Sequence, residues 1–300
     1  MNKLDFYTLD VFTNTPFSGN PLAVFVDAGH LSDQQMQSIA REMNLSETVF
    51  IREKTAKNRW SIRIFMPNGE IPFAGHPTVG TALLLRSLGW LETWDKEEDL
   101  ILDEVAGAVP VVFKGQEPEV MAIFQTPQLP VIDVEKSTLT QADMATMLGL
   151  SLADIVEQPF VASCGVPYQI IQLTSVKALS LARLNLSYWR EKLENHVAPD
   201  LCLFAYSESE VDIQMRMFAP AAGIAEDPAT GSAAAALVGG LALKHDLKKD
   251  TGWMISQGTE MGRPSRIGTH VRINESGIIA VEVFGGAVVI SQGTLLRQPL

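Results

Sequence analysis

Hydrophobic residues along this chain recur with two periods, one typical of strands and one typical of helices. In the first 120 residues, alternating or unbroken apolar runs predict strands at 4–12, 23–26, 48–52, 60–65, 100–102 and 109–113. Residues 32–43 instead predict an amphipathic helix, because the apolar residues from Met36 to Met43 recur at helical spacing. Ser32 and Gln35 at its start have the spacing of a capping box.

Further segments of the chain predict helices, and the position of Pro and Gly marks the ends of one of them. The first is 77–88, with Pro77 in its first turn, where the missing N–H costs nothing, and Gly89 just past its end. Further helices are predicted in the second half at 141–148, 188–194 and 228–244. The last contains AAAALVGGLALK, which is apolar on nearly every side, so we expect it at the centre of a folded unit. Antiparallel strands around such helices indicate the α+β class.

One stretch of the sequence occurs twice. IRIFMPNGEIPFAGHPTVGTA starts at Ile62, and IQMRMFAPAAGIAEDPATGSAA starts at Ile213. Their Arg-x-Phe-x-Pro parts align at an offset of 153, and their Pro-x-x-Gly parts align at 151 after a shorter loop. A weaker match joins GNPLAVFVD and GVPYQIIQL at an offset of 146. Chance similarity of a strand-turn-helix unit is the alternative, but matches in one register over half the chain length favour duplication of a domain.

The duplication predicts two pseudo-symmetric lobes, each with a sheet around its central helix. We place the first lobe at 1–120 and the second at 121–287, because the linking stretch contains GQEPE and TPQLP. The final strand, about 288–300, is expected to return to the first lobe.

Each copy of the repeat carries a polar residue just before Pro at a predicted helix start, His76 in the first and Asp227 in the second. The unpaired N–H groups and the helix dipole make such a start a site for anions. If the lobes face each other, a small carboxylate at one start would have its reacting carbon between His76 and Asp227. Considered alone, Asp227 is more simply explained as a helix cap and His76 as a structural residue. Because they occupy equivalent positions in the two copies, both become candidate catalytic residues.

Glu47, in the segment NLSETVF, is a third candidate with two possible environments. A Glu between a helix and a strand is usually an exposed turn residue. If its side chain instead points into an apolar cleft, desolvation would raise its pKa into the range of a general acid-base. The sequence alone does not decide between an exposed turn residue and a buried acid-base group.

Composition and the absence of known motifs exclude several classes of function. The chain has 46% apolar and 19% charged residues, with a net charge of −12 and no cluster of Lys or Arg, which argues against nucleic-acid binding. It has no apolar run long enough for a membrane span and no signal peptide at its start. Two cysteines, Cys164 and Cys202, fit a reducing cytoplasm. Neither nucleotide-binding glycine motifs nor zinc-ligand spacing occurs, so we expect no cofactor and no metal.

The repeated motifs resemble those of the PhzF family of phenazine-biosynthesis-like proteins, which have the diaminopimelate-epimerase-like fold. The resemblance runs from end to end and rests on six segments: FSGNPLAV, NLSETVF, PFAGHPTVG, EDPATGSA, QGTEMGRPS and FGGAVVISQGTL. It implies two lobes, each a barrel-like, mostly antiparallel sheet around a central helix, with the active site in the cleft between them. It also implies a homodimer that works without a cofactor or metal.

The resemblance also implies roles for individual residues. The acid-base Glu of the family falls on Glu47, and the catalytic His and Asp fall on His76 and Asp227. The substrate-binding positions fall on Gly75 and Ser232, with Thr230 and Gly231 in the same motif. Related amino-acid epimerases carry a Cys in each corresponding loop. Both loops lack Cys here, which excludes a two-thiol racemase mechanism.

Two classes of function follow. In the first, the protein is a cofactor-independent isomerase that shifts a proton on a small unsaturated or cyclic amino-acid-like carboxylate, with Glu47 as the acid-base group. In the second, it is a non-catalytic protein that binds or senses a small carboxylate on the same fold. An epimerase that pairs Glu47 with Asp227 or His76 is a third alternative. Retention of all four candidates, Glu47, His76, Asp227 and Ser232, favours the enzyme.

Overall fold

The computed structural model describes residues 3–92, 100–116, 118–136 and 138–296. Its contacts divide the chain into unit 1, Met1–Gln125 with Phe284–Leu300, and unit 2, Thr126–Val283. The division thus falls five residues after the predicted boundary, because the strand that ends at Gln125 packs with unit 1. Residues 297–300 of the predicted final strand lie outside the described residues.

Unit 1 is a sheet that surrounds one helix and carries another on its outer face. Its strands from the first segment are β1 (Leu4–Val11), β2 (Asn20–Phe25), β3 (Glu47–Ala56), β4 (Arg59–Met66), β5 (Gly69–Ile71), β6 (Leu100–Glu104), β7 (Gly107–Lys114) and β8 (Met121–Gln125). Its helices are α1 (Asp33–Met43) and α2 (Gly75–Ser87). The last strand of the chain, Ala287–Leu295, pairs antiparallel with β1.

The predicted capping box at the start of α1 is confirmed, since Ser32 and Gln35 bond each other's backbone N–H groups. Helix α1 buries Met36, Ile39 and Ala40 against a cluster that contains stacked Phe25 and Phe50. Helix α2 is buried from its first residue to Leu85. It begins at Gly75, two residues before the predicted start, with Ala74 as its N-cap.

Unit 2 has the same kind of architecture with more helices. Its strands are β9 (Val131–Asp133), β10 (Phe160–Ser163), β11 (Pro167–Gln172), β12 (Leu201–Tyr206), β13 (Ile213–Ala219), β14 (Ile224–Asp227), β15 (Thr251–Gln257), β16 (Ser265–Asn274) and β17 (Gly277–Gly285), which makes the last strand of the chain β18. Its helices are α3 (Gln141–Leu148), α4 (Val176–Leu181), α5 (Leu186–Leu193) and α6 (Gly231–Lys244).

Helix α6 is buried along almost its whole length, as its apolar sequence predicts. Its predicted start at 228 is wrong, however, since the helix begins three residues later at Gly231. Side-chain hydrogen bonds that hold residues 227–230 outside the helix explain the difference, as described below.

Strand pairing within each unit follows one order. In unit 1, β2–β3 is parallel, β3–β4 antiparallel, β4–β6 parallel and β6–β7 antiparallel. In unit 2 the pairs β11–β12, β12–β13, β13–β15 and β15–β16 repeat these four orientations. The repeated sequence therefore corresponds to a repeated topology, which confirms the predicted α+β fold of two similar units.

The repeated Arg of the motif has the same structural role in both copies. Arg63 binds both carboxylate oxygens of Glu70, and Arg216 binds both oxygens of Glu226. Each guanidinium also lies over the ring of the Phe two residues later, at 5.2 Å in unit 1 and 5.0 Å in unit 2. These pairs tie β4 to β5 and β13 to β14, and so hold the strand that precedes each motif helix.

Candidate active site

Glu47 and His76 lie side by side in unit 1. Glu47 is the first residue of β3, and His76 is the second residue of α2. The Nε2 atom of His76 lies 3.4 Å from Oε2 of Glu47, and the two side chains are 4% and 13% exposed. Glu47 is therefore not the exposed turn residue of the simpler interpretation, because its carboxylate lies in the interior beside the imidazole.

His76 is a neutral imidazole. Burial lowers its pKa to about 3, because a buried charge loses its hydration. Its position in the first turn of α2 acts in the same direction, since the helix dipole is positive there. Nδ1 of His76 lies 3.4 Å from the Nδ2 amide of Asn20, whose Oδ1 accepts a hydrogen bond from Ser46 at 3.0 Å. With that amide orientation Nδ1 is the acceptor, so the ring proton is on Nε2 and faces Glu47.

In unit 2, the Asp227 side chain is buried at the end of β14. Thr230, the N-cap residue of α6, donates its hydroxyl proton to Oδ2 of Asp227 at 2.5 Å. The Gln257 amide donates to the Asp227 carbonyl at 2.7 Å and to the Thr230 hydroxyl at 3.0 Å, and it accepts from the Thr230 N–H at 2.9 Å. Asp227 is thus not a helix cap, and the bonds to Gln257 compete with an earlier start of the helix.

Ser232 is the second residue of α6, directly after Thr230 and Gly231. Its Oγ atom lies 2.7 Å from the phenol oxygen of Tyr168. Tyr168 is 3% exposed, and burial raises its pKa, so the phenol is neutral at physiological pH. The start of α6 therefore combines backbone N–H groups, a serine hydroxyl and a nearby carboxylate. This is a set that can bind a substrate carrying both a carboxylate and a polar group.

A second buried carboxyl, Glu104, lies below the start of α2. Glu104 is the last residue of β6, and Gln257 is the last residue of β15, the corresponding strand of unit 2. The residues before them are paired in the same way: Asp103 with Ser61 of β4, and Ser256 with Gln214 of β13. Glu104 and Gln257 therefore have equivalent positions. Burial raises the pKa of Glu104 to about 8, opposed by hydrogen bonds from Thr78 and from the backbone of Ala74. Glu104 is therefore protonated at neutral pH and resembles the amide that replaces it in unit 2.

The Thr78 hydroxyl explains how this protonated carboxyl is accommodated. Its Oγ1 atom lies 2.7 Å from the Ala74 carbonyl oxygen and also 2.7 Å from Oε1 of Glu104. A hydroxyl has one proton, so it cannot donate to both oxygens at once. When Glu104 is protonated it donates to Thr78, and Thr78 donates to Ala74.

Several residues near these sites were not found from the sequence. They are Asn20 and Glu104 in unit 1, and Tyr168, Asp200 and Gln257 in unit 2. The 146-residue offset between the two copies could have pointed to the residues of unit 2, because it aligns Leu22 with Tyr168. In unit 1, Leu22 of β2 pairs with Glu47 at the start of β3. In unit 2, the N–H of Gln169, the residue after Tyr168, donates to the Asp200 carbonyl just before β12. Asp200 therefore lies opposite Tyr168 as Glu47 lies opposite Leu22. Burial raises the pKa of Asp200 to about 6.

Neither cysteine belongs to a motif loop in the sequence, and Cys164 donates from its Sγ to the Ala235 carbonyl of α6 at 3.4 Å. Cys164 and Cys202 are buried free thiols, and burial raises the pKa of each. Both are therefore protonated and weakly nucleophilic. Within the described ranges, no group of three His, Cys, Asp or Glu side chains could hold a metal ion. No helix among those residues has the length and apolar character needed to cross a bilayer.

The duplicated α+β fold places a carboxyl and a neutral imidazole beside the central helix of unit 1, an arrangement suited to acid-base chemistry. Residues 9–293 match the sequence model of the phenazine biosynthesis-like proteins, PhzC-PhzF. The chain belongs to this family.

Several curated relatives of the chain are named as isomerases. It is 36% identical to an uncharacterized isomerase of Pasteurella multocida over 95% of this chain and 91% of that one. It is 35% identical to the trans-2,3-dihydro-3-hydroxyanthranilate isomerase of Pseudomonas aeruginosa over 96% of this chain and 98% of that one. The protein is thus an isomerase, and the alternative of a non-catalytic binding protein is not supported.

Solved structures show the same fold. A PhzF-family protein of Bacillus anthracis superimposes with a TM-score of 0.88 at 25% identity, and the match covers 99% of this chain and 100% of that one. A hydroxyproline epimerase of Agrobacterium vitis superimposes with a TM-score of 0.60 at 11% identity, covering 98% and 92%. The latter similarity concerns the fold alone and confirms the predicted epimerase-like architecture.

Proposed function

We propose that this isomerase shifts a proton on a small unsaturated or cyclic amino-acid-like carboxylate, with Glu47 as the acid-base group and no cofactor. The observation that carries the proposal is the contact of 3.4 Å between the Glu47 carboxylate and the neutral imidazole of His76. The Glu47 side chain is only 13% exposed, and the imidazole N–H beside it would support the ionised carboxylate without taking its proton.

The proposed reaction needs one carboxyl group only. Ionised Glu47 removes a proton from one carbon, and the electron pair left behind moves into the conjugated system of the substrate. The carboxylic acid that results then returns a proton to a second carbon, which moves the double bond and regenerates the carboxylate. Because His76 is neutral and its Nδ1 accepts from Asn20, its one ring proton is on Nε2 and would orient the Glu47 carboxylate, 3.4 Å away.

We assign substrate binding to the motif residues. The N–H groups at the start of α6, at Gly231 and Ser232, together with the Ser232 hydroxyl would bind the substrate carboxylate. Asp227, fixed by Thr230, would accept hydrogen bonds from an amino or hydroxyl group. The backbone at Gly75 has the corresponding role at the start of α2. The predicted cleft between the lobes, the homodimer and the cytoplasmic location stay predictions.

The names of the relatives suggest the compound to test. Three Pseudomonas relatives, 32% to 35% identical to this chain, are trans-2,3-dihydro-3-hydroxyanthranilate isomerases. That compound is a cyclic, unsaturated amino acid with a hydroxyl group, so it carries each polar group for which the motif residues are suited.

The test compares wild type with Glu47→Gln on this compound, and substrate loss is followed by chromatography. Glu53→Gln is the matched control, because Glu53 lies on the same strand with an exposed side chain. We expect wild type and Glu53→Gln to consume the compound and Glu47→Gln to be at least about 1000-fold slower, in the range lost with a general acid-base. An equally active Glu47→Gln variant would refute the role of Glu47.

A further inference from the structure

We propose that Tyr168 is a positioning residue that turns the Ser232 hydroxyl into a fixed donor toward the substrate carboxylate. The inference rests on the proposed function, because it deepens the role given to Ser232. Tyr168 lies on β11, one residue after the Gly-x-Pro turn of unit 2, and its ring is buried in that unit.

The proton count between the two hydroxyls gives the direction of the bond. Ser232 Oγ, at 2.7 Å, is the hydrogen-bond partner of the Tyr168 phenol within the described residues. A buried phenol that does not donate its proton loses the free energy of a hydrogen bond. When Tyr168 donates to Ser232, the Ser232 proton is free to point away from the phenol. The serine then offers a directed O–H to a ligand at the start of α6.

The charge state of Tyr168 supports this direction. Burial raises its pKa above the ordinary value for a phenol, so the phenol keeps its proton at neutral pH. Asp200 has the neighbouring position on the adjacent strand, but its Oδ1 forms no hydrogen bond within the described residues. Among the described residues the phenol is in hydrogen-bond contact with Ser232 and not with that carboxyl, which places the phenol proton on Ser232 in this proposal.

The first copy of the repeat serves as an internal comparison. Leu22 aligns with Tyr168 and packs on α2, where its Cδ2 lies 2.6 Å from the point that a Cβ on Gly80 would occupy. Thr81 aligns with Ser232, and its buried hydroxyl has no hydrogen-bond partner among the described side chains and backbone. A phenol beside the motif hydroxyl thus occurs in the second copy and not in the first. The fold that the two copies share does not require it.

The experiment measures kcat and KM for trans-2,3-dihydro-3-hydroxyanthranilate with wild type, Tyr168→Phe and Tyr188→Phe. Tyr188→Phe is the control, because it also loses one phenol hydrogen bond, to Asp143 at 2.8 Å, in the same unit. We expect Tyr168→Phe to raise KM about 10-fold with little change in kcat, the effect of one lost directed hydrogen bond. Tyr188→Phe should leave KM unchanged.

A double-mutant comparison separates positioning from packing. Adding Tyr168→Phe to Ser232→Ala should not raise KM further, because the serine through which the phenol acts is already absent. If Tyr168→Phe raises KM equally with and without Ser232, its effect does not pass through that hydroxyl, and the inference is wrong. An unchanged KM in the single variant would overturn it as well.

A readout without turnover keeps this inference distinct from the proposed function. High-resolution crystal structures of wild type and Tyr168→Phe show whether Ser232 Oγ has one position or several. We expect one position in wild type and several in the variant; one shared position would refute the inference. If wild type converts the compound but Tyr168→Phe changes neither KM nor the position of Ser232 Oγ, the inference is wrong and the proposed function stands. If wild type leaves the compound unchanged, the proposed substrate fails, and the serine position still decides the inference.

Discussion

Replacing Glu104 by Gln should make the protein less sensitive to alkaline pH without loss of structure. The Glu104 carboxyl is 7% exposed and lies next to the N-cap of α2. A glutamine has the size of the protonated acid, and its amide can accept and donate as that acid does. Gln257 already has this role at the same register position in unit 2.

The magnitude follows from the pKa of Glu104, about 8 in the folded protein against an ordinary value of 4.5. Between these values the folded state holds a proton that the unfolded state has lost, so the free energy of unfolding falls as pH rises. The slope is about 1.4 kcal/mol per pH unit, and the whole window amounts to roughly 5 kcal/mol as an upper limit. Between pH 6.5 and 8, wild type should therefore lose about 2 kcal/mol that Glu104→Gln retains.

The assay is urea unfolding of wild type, Glu104→Gln and Glu53→Gln at several pH values from 6.5 to 9. We expect the free energy of unfolding of wild type and Glu53→Gln to fall by about 2 kcal/mol between pH 6.5 and 8, and that of Glu104→Gln to change little over the same range. The exposed Glu53 is the control for removal of one negative charge. If Glu104→Gln has the same dependence on pH as wild type, Glu104 is not a buried neutral acid.

Two further predictions concern the residues around each motif helix. His76 has its pKa lowered to about 3, so the unfolded state binds a proton that the folded state refuses, and stability should fall as pH drops below about 6.5. The variant His76→Asn should show a flatter loss of stability between pH 6.5 and 4 in urea unfolding. Gln257→Ala should lower the free energy of unfolding by about 1–3 kcal/mol, because the buried Thr230 N–H and Asp227 carbonyl lose their partner. Thermal unfolding measures this loss, and an unchanged melting temperature would contradict it.

The sequence predicted best the features that depend on local patterns. The capping box of α1, the buried apolar helix α6 and the duplication all follow from residue spacing or from repeated letters. A helix that is apolar all round has only one stable environment, the interior, so its burial required no knowledge of its neighbours.

The start of α6 was predicted wrongly because distant residues determine it. Pro228 is compatible with a helix start, but Gln257 bonds residues 227–230 from another strand. In the same way, the burial of Glu47 depends on α2, which places His76 against it. Such contacts join residues far apart in the sequence, and no local pattern encodes them.

The central claim is that Glu47 carries the proton, and proton NMR in D2O tests it most directly. Wild type and Glu47→Gln are incubated with trans-2,3-dihydro-3-hydroxyanthranilate, and the ring signals are followed over time. We expect wild type to move the double bond and to place solvent deuterium on a ring carbon, while Glu47→Gln does neither. Deuterium incorporation at the wild-type rate in Glu47→Gln would contradict the account.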